Sequence, residues 1–274
     1  MNGRTFSDRL FFVIKLLMGI LIVAPILYAA LVSFMNPAEV SSYPPAIFPK
    51  NFQLTNYLAI LNIFPLFRFL LNSIIVCLIV IAAQILISSL SAYAFSFFEF
   101  PGRNLLFALI LSTMMIPAET VIIANYLTMC DLKLVNTYFA LVLPYLASGM
   151  GIFLMRQFFL TVPRELKQAA AIDGCGDLRF LWSVLMPISV PTIAALSVYV
   201  FVLTYNQYMW PLFVTSSTNM RTVQVGMGML IDAETTNYGN VTAGAIFVLI
   251  PVVLIFILGQ KYLIRGMTSG AVKG

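Results

Sequence analysis

Ile74-Ile75-Val76-Cys77-Leu78-Ile79-Val80-Ile81-Ala82-Ala83-Gln84-Ile85-Leu86-Ile87 is the middle of an apolar run that extends from about Phe69 to Phe97. Such a run reaches the roughly 20 residues that carry a helix across a hydrocarbon core. Transmembrane strands would alternate apolar and polar residues over about ten positions, and no such alternation is seen. Working outward, similar runs cover about Phe11–Met35, Asn104–Leu127, Tyr138–Leu160, Phe180–Tyr205 and Val241–Tyr262. Of the 274 residues, 61% are hydrophobic and 9% charged, against about 25% charged in a soluble domain. The sequence therefore predicts an all-α polytopic membrane protein with about six transmembrane helices, forming one membrane domain over residues 1–274. Pro25 and Pro251 predict kinks in the first and sixth spans. No remaining segment is long enough for a separate soluble domain.

The first run follows Arg4 and Arg9, with Lys15 just inside it. A secretory signal has a similar layout, but this run exceeds the usual signal core and no small-x-small site ends it. It is expected to stay as an anchor. Placing both termini in the cytoplasm puts Arg103, Arg156, Arg164, Lys167, Arg179, Lys261, Arg265 and Lys273 on or near the inner side, together with the three N-terminal cations. Only Lys50, Arg68, Lys133 and Arg221 then lie outside. That asymmetry fixes the orientation, and it accounts for the net charge of +5 without a nucleic-acid partner. Cys77, Cys130 and Cys175 fall at different membrane depths and cannot pair. The absence of histidine removes the commonest metal ligand and general base. No residue reads as catalytic and no metal site is expected. There is no GxxxxGK[ST] phosphate loop, so any ATP would be bound by another chain.

The most polar internal segment, residues 161–179, lies on the inner side. Pro163 and Glu165 suit a helix start. Leu166, Ala169, Ala170 and Asp173 recur at helical spacing, and Asp173-Gly174 suits a helix stop. Composition alone allows two readings: a short helix whose small face receives another protein, or an amphipathic connector on the lipid headgroups.

Gln168-Ala169-Ala170-Ala171-Ile172-Asp173-Gly174, followed by Phe180, Pro187 and Pro191, resembles the "EAA" loop of permease subunits in bacterial ATP-binding cassette importers. Leu71-Asn72-Ser73, Met115-Ile116-Pro117, Asn136-Thr137-Tyr138 and the ending Gly266–Gly274 are similar to the carbohydrate-uptake branch, in particular its maltose-type second permease. The resemblance implies the type I importer permease fold in a bacterial inner membrane. It also implies a second permease subunit, an ATPase pair that binds ATP and Mg, and an external solute-binding protein. The 161–179 loop would be the coupling element docked on the ATPase, with Glu165, Gln168, Ala169, Ala170, Asp173 and Gly174 as its contact residues. Gln168 stands where the family has glutamate, so docking is expected to rely less on charge-assisted hydrogen bonds.

Asn206-Gln207-Tyr208-Met209-Trp210-Pro211-Leu212 ends the fifth span on the outer side. It reads either as an interfacial aromatic belt or as a polar, aromatic part of the pathway, carried by Asn206, Gln207, Tyr208 and Trp210. It resembles glycerol-phosphate importer permeases at this point, which puts a phosphorylated glycerol beside sugars and oligosaccharides as solute. Glu119, in the third span, is expected to have a structural or gate role. The outer connection, residues 206–240, contains Arg221, Asp232 and Glu234. It is either solvated or, by the resemblance, touches the solute-binding protein. A stand-alone carrier or channel would show acids in several spans or an internal duplication, and neither is visible.

Overall fold

The apolar runs do become helices, but among the described residues only three are long and apolar enough to cross a membrane unbroken. The computed structural model describes residues 6–231 and 237–268, with side chains placed between residues 10 and 260 of that range. The chain forms α1 (Phe6–Val32), α2 (Pro37–Val40), α3 (Thr55–Ile63), α4 (Leu66–Phe97), α5 (Arg103–Thr113), α6 (Ile122–Asp131), α7 (Tyr138–Val142), α8 (Gly149–Phe159), α9 (Arg164–Ile172), α10 (Asp177–Phe180), α11 (Met186–Ile188), α12 (Val190–Tyr205), α13 (Met209–Val214), α14 (Val223–Gly228) and α15 (Tyr238–Thr268). No strand occurs among the described residues.

Leu10–Val32, Leu66–Phe97 and Tyr238–Gln260 are the unbroken candidate spans. The other three are bent pairs: Arg103–Thr113 with Ala118–Asp131 at 89°, Tyr138–Tyr145 with Gly149–Phe159 at 49°, and Asp177–Ile188 with Val190–Tyr205 at 79°. The expected continuous third, fourth and fifth spans are thus corrected, and each break has a local cause. Pro117 has no N–H to extend α5 and disfavours helical geometry in the residue before it. It stands at φ −60°, ψ 134° and leads into a 3-10 turn, Ala118–Val121. In the fourth span, a 3-10 turn over Leu143–Tyr145 holds Pro144. The chain restarts at Ser148, whose hydroxyl accepts the Gly151 N–H at 3.3 Å, as an N-cap does. In the fifth, Pro191 cannot donate to the carbonyl of Pro187. A π-helical stretch, Leu181–Leu185, precedes the break at Ser189. By contrast α1 and α15 continue through Pro25 and Pro251, so the sharp bends lie elsewhere.

The residues group into two compact units, the first comprising the chain up to Phe67 with Gly226–Ile250, the second Arg68–Val225 with the chain from Pro251. In the first, the proline-bearing connection after α1 is ordered by Glu39, which is buried. Its carboxylate accepts the N–H of Asn36 at 3.2 Å and of Lys50 at 3.1 Å, while Asn36 Oδ1 accepts the Glu39 N–H at 2.8 Å. This capping box lets the short helix α2 begin at Pro37. Asn56 donates to the carbonyls of Ser33 and Met35, and Gly239 lies so close to Asn56 that a side chain there would collide.

The second unit is cored by Val76, Val80, Leu141, Met155, Phe159, Phe180, Leu181 and Leu196. Its small-residue stretch behaves as packed membrane helices do: Ser88, Ser89 and Ala92 are fully buried. Gly151 of α8 meets the Ser88 hydroxyl with no room for a Cβ.

Candidate functional site

The 161–179 segment is α9, the turns on either side of it and the start of α10. Pro163 is the N-cap residue, one position earlier than a first-turn proline. The helix stops in a Schellman turn. Gly174 takes φ +73°, its N–H bonds to Ala171 O at 3.0 Å, and Cys175 N–H bonds to Ala170 O at 2.8 Å. Glu165, Gln168, Ala169, Asp173 and Gly174 are exposed. Ala170 is not on that face: it is half-buried and packs with Cys175 on the core. Leu166 and Ile172 join the free face instead, Ile172 at 87% exposure. The free face is therefore more apolar than an alanine strip.

On its inner side α9 is held by Lys167, which sequence reading overlooked. Its ammonium lies 2.9 Å from Asp177 Oδ1 and faces the rings of Phe98, Tyr93 and Phe97 at 4.6, 5.2 and 5.6 Å. The Tyr93 hydroxyl donates to the same Asp177 oxygen at 2.7 Å. Asp177 opens α10 and is the first residue of the fifth candidate span. The Arg164–Glu99 pair, at 3.9 Å and with both side chains largely exposed, contributes little by comparison.

A cavity of about 790 Å³ opens in the same compact unit. Asn206, Gln207, Tyr208 and Trp210 all line it, with Glu119 from the 3-10 turn and Gln84, Tyr145, Ser148 and Tyr199. The breaks before Ala118 and Gly149 also border it, through Met114, Ala118, Gly149 and Met150. Trp210 fits neither sequence reading fully. It is 3% exposed and its Nε1 donates to Ala140 O at 3.0 Å, so it is a buried wall element and not an interfacial belt residue. Asn206 is partly engaged too, donating to Val202 O and accepting from Gln224. Gln84 was the missed residue. Buried in mid-span, it donates to Tyr145 O at 2.8 Å, while its Oε1 has no partner. Its signal was a lone long polar side chain in the run quoted first, and polar groups inside spans are functional candidates.

The outer connection is tied down over its described part. Asn72 donates to the carbonyls of Asn219 and Arg221, each at 2.8 Å, and accepts from the Tyr138 hydroxyl at 2.6 Å. Ser73 Oγ accepts Val223 N–H. Asn136, at φ +67°, accepts the N–H groups of Ser216 and Ser217. The Leu71-Asn72-Ser73 and Asn136-Thr137-Tyr138 stretches are thus the clasp of this loop, which is not a free solvated strand of chain. Asp232, Glu234 and the stretch from Ser269 onward lie outside the described residues, as do the side chains of Gly266–Thr268. Cys77 is buried, Cys130 exposed and Cys175 half-buried, all three free. No cluster of metal-ligating side chains occurs among the described residues.

Residues 84–269 match the family described as binding-protein-dependent transport system inner membrane component. The chain belongs to this family. It is a membrane permease component, 37% identical over 265 residues to the sn-glycerol-3-phosphate transport system permease protein UgpE of Brucella abortus (strain 2308), covering 93% of this chain and 94% of that one. To the protein of that name in Agrobacterium fabrum (strain C58 / ATCC 33970) it is 38% identical over 267 residues, with the same coverage. The permease fold is shared with a solved bacterial ABC transporter involved in the import of the acidic polysaccharide alginate. The TM-score is 0.83 at 24% identity, over 96% of this chain and 99% of that one. The family match spans the cavity wall from Gln84 and the whole of α9, so both candidate sites fall within the permease region.

Proposed function

We propose that this permease is one membrane half of an ATP-driven importer, with α9 receiving the movement of an ATPase and the cavity forming part of the solute path. The observation that carries this reading is that a helix with one free face and a polar, aromatic-walled cavity are built from the same compact unit. Displacement of α9 therefore has a packed route to the cavity. Gln168, Ala169, Glu165 and Asp173 would meet the ATPase, with Leu166 and Ile172 adding apolar contact, and Gly174 would hold the turn. Ala170 supports the helix from beneath. The remaining partners are a second permease, an ATPase pair holding ATP and Mg, and an external solute-binding protein that meets the outer loop. The membrane lipid surrounds the apolar helices, and both termini lie in the cytoplasm. Catalysis of ATP hydrolysis belongs to the ATPase chains.

Hydrogen-bonding side chains and rings in the cavity suit a hydroxylated solute. The names of the relatives make sn-glycerol 3-phosphate the first to try, beside sugars and oligosaccharides. Affinity purification should bring down an ATPase and a second permease with this chain, and the reconstituted complex should take up solute only with ATP. Uptake by this chain reconstituted alone would overturn the reading.

A further inference from the structure

We propose that Lys167, Tyr93 and Asp177 are positioning residues forming a mechanical joint that makes α4 move together with α9. The proposal rests on the coupling role given to α9 above and adds which span receives the movement. Along the chain, α9 is joined only to α8 and α10; α4 is distant in sequence and has no covalent reason to follow it. Three elements nevertheless converge on one oxygen. Asp177 Oδ1, at the start of α10, is 2.9 Å from Lys167 Nζ on α9 and accepts the Tyr93 hydroxyl of α4 at 2.7 Å. The Lys167 ammonium is further enclosed by Tyr93 and Phe97 at the end of α4 and by Phe98 just beyond it. Only 28% of the Lys167 side chain is exposed, so water does not readily replace these contacts. Beneath the joint, Phe180 packs on Phe97 at 5.8 Å and on Tyr93 at 6.4 Å.

The mechanics of the helices give the joint a purpose. The other three candidate spans between Arg103 and Tyr205 are bent by 89°, 49° and 79° at breaks, and a break absorbs displacement as a hinge does. α4 runs unbroken from Leu66 to Phe97. A push at Tyr93 therefore travels along a continuous hydrogen-bonded rod to Gln84, whose amide holds the Tyr145 carbonyl on the cavity wall at 2.8 Å. Gln84 Oε1, which has no partner in this state, is free to take one when the wall shifts.

The test uses the full complex with its ATPase and second permease in nanodiscs, in a Cys130→Ser, Cys175→Ala background carrying Met209→Cys on the cavity wall. The readout is the labelling rate of that cysteine by a hydrophilic maleimide, with and without ATP and vanadate. Tyr93→Phe removes one oxygen and keeps the ring, and Asp177→Asn removes the charge and keeps the volume. In each, the nucleotide-driven change in labelling should shrink about fivefold or more, the scale on which coupling between sites is felt. ATP hydrolysis and co-purification should persist, and Lys167→Arg should retain the change. A full nucleotide response in Tyr93→Phe overturns the joint, as does loss of ATPase co-purification, which would make these residues a docking contact. If the complex with none of the joint substitutions shows no nucleotide response, the coupling role of α9 falls first and the joint with it.

Discussion

Gly174 stands at φ +73° with open space around it, so a substitution there meets no steric neighbour and acts only through the backbone. An L-residue in that left-handed region costs about 1–2 kcal/mol, and a β-branched one is the worst placed. Gly174→Val should leave insertion intact and lower the solute moved per ATP hydrolysed in proteoliposomes, while Gly174→Asn, which tolerates this region, should lower it less. Asp177 gives a second prediction at this scale. Asp177→Asn removes the charge 2.9 Å from the Lys167 ammonium and should lower the melting temperature in detergent at neutral pH by more than Glu99→Gln, whose pair with Arg164 is largely exposed. The glycine stop was legible from residue type, because few other residues adopt that conformation. The Lys167–Asp177–Tyr93 contact was not, since one partner lies 84 residues from another and no local pattern records such a meeting.

At the scale of helices, packing of α8 on α4 depends on Gly151 facing Ser88 without a side chain between them. Gly151→Ala should destabilise the protein by about 1–3 kcal/mol, as overpacking does. Ser88→Gly in the same chain should recover part of it; thermal unfolding in detergent measures both. The six apolar stretches were legible because spanning length and hydropathy coincide. The breaks within three of them were not. Met114, Met115 and Ile116 remain apolar across the first gap, so the hydropathy that marks a span gives no sign of its interruption. Proline alone did not mark the breaks: α1 and α15 continue past Pro25 and Pro251, whereas Pro117 and Pro191 sit at gaps where a carbonyl loses its donor. Trp210 was ambiguous for a related reason, since an aromatic with a polar edge suits an interface and a buried wall equally well.

For the whole molecule, the cysteines provide a topological test. A membrane-impermeant maleimide should reach Cys130 from the outer face and Cys175 only from the inner face. Buried Cys77 should react after denaturation alone. Labelling of Cys175 in right-side-out vesicles would place α9 on the wrong side for any ATPase. Lys and Arg distribution is what predicts this orientation from sequence. The cavity was only half readable, because Tyr208 and Gln207 announce themselves by composition while Ser148, Gly149 and Met150, which join them in its wall, do not.

Where α8 restarts after its gap, Gly151 and Ile152 donate to Ser148, whereas the amides of Gly149 and Met150 find no acceptor among the described residues. Main-chain donors of this kind are present whatever the side chains are. With the cavity as the proposed solute path, these donors would be available to hydroxyl or phosphate oxygens, and selectivity would fall to side chains such as Gln84, Gln207 and Tyr208.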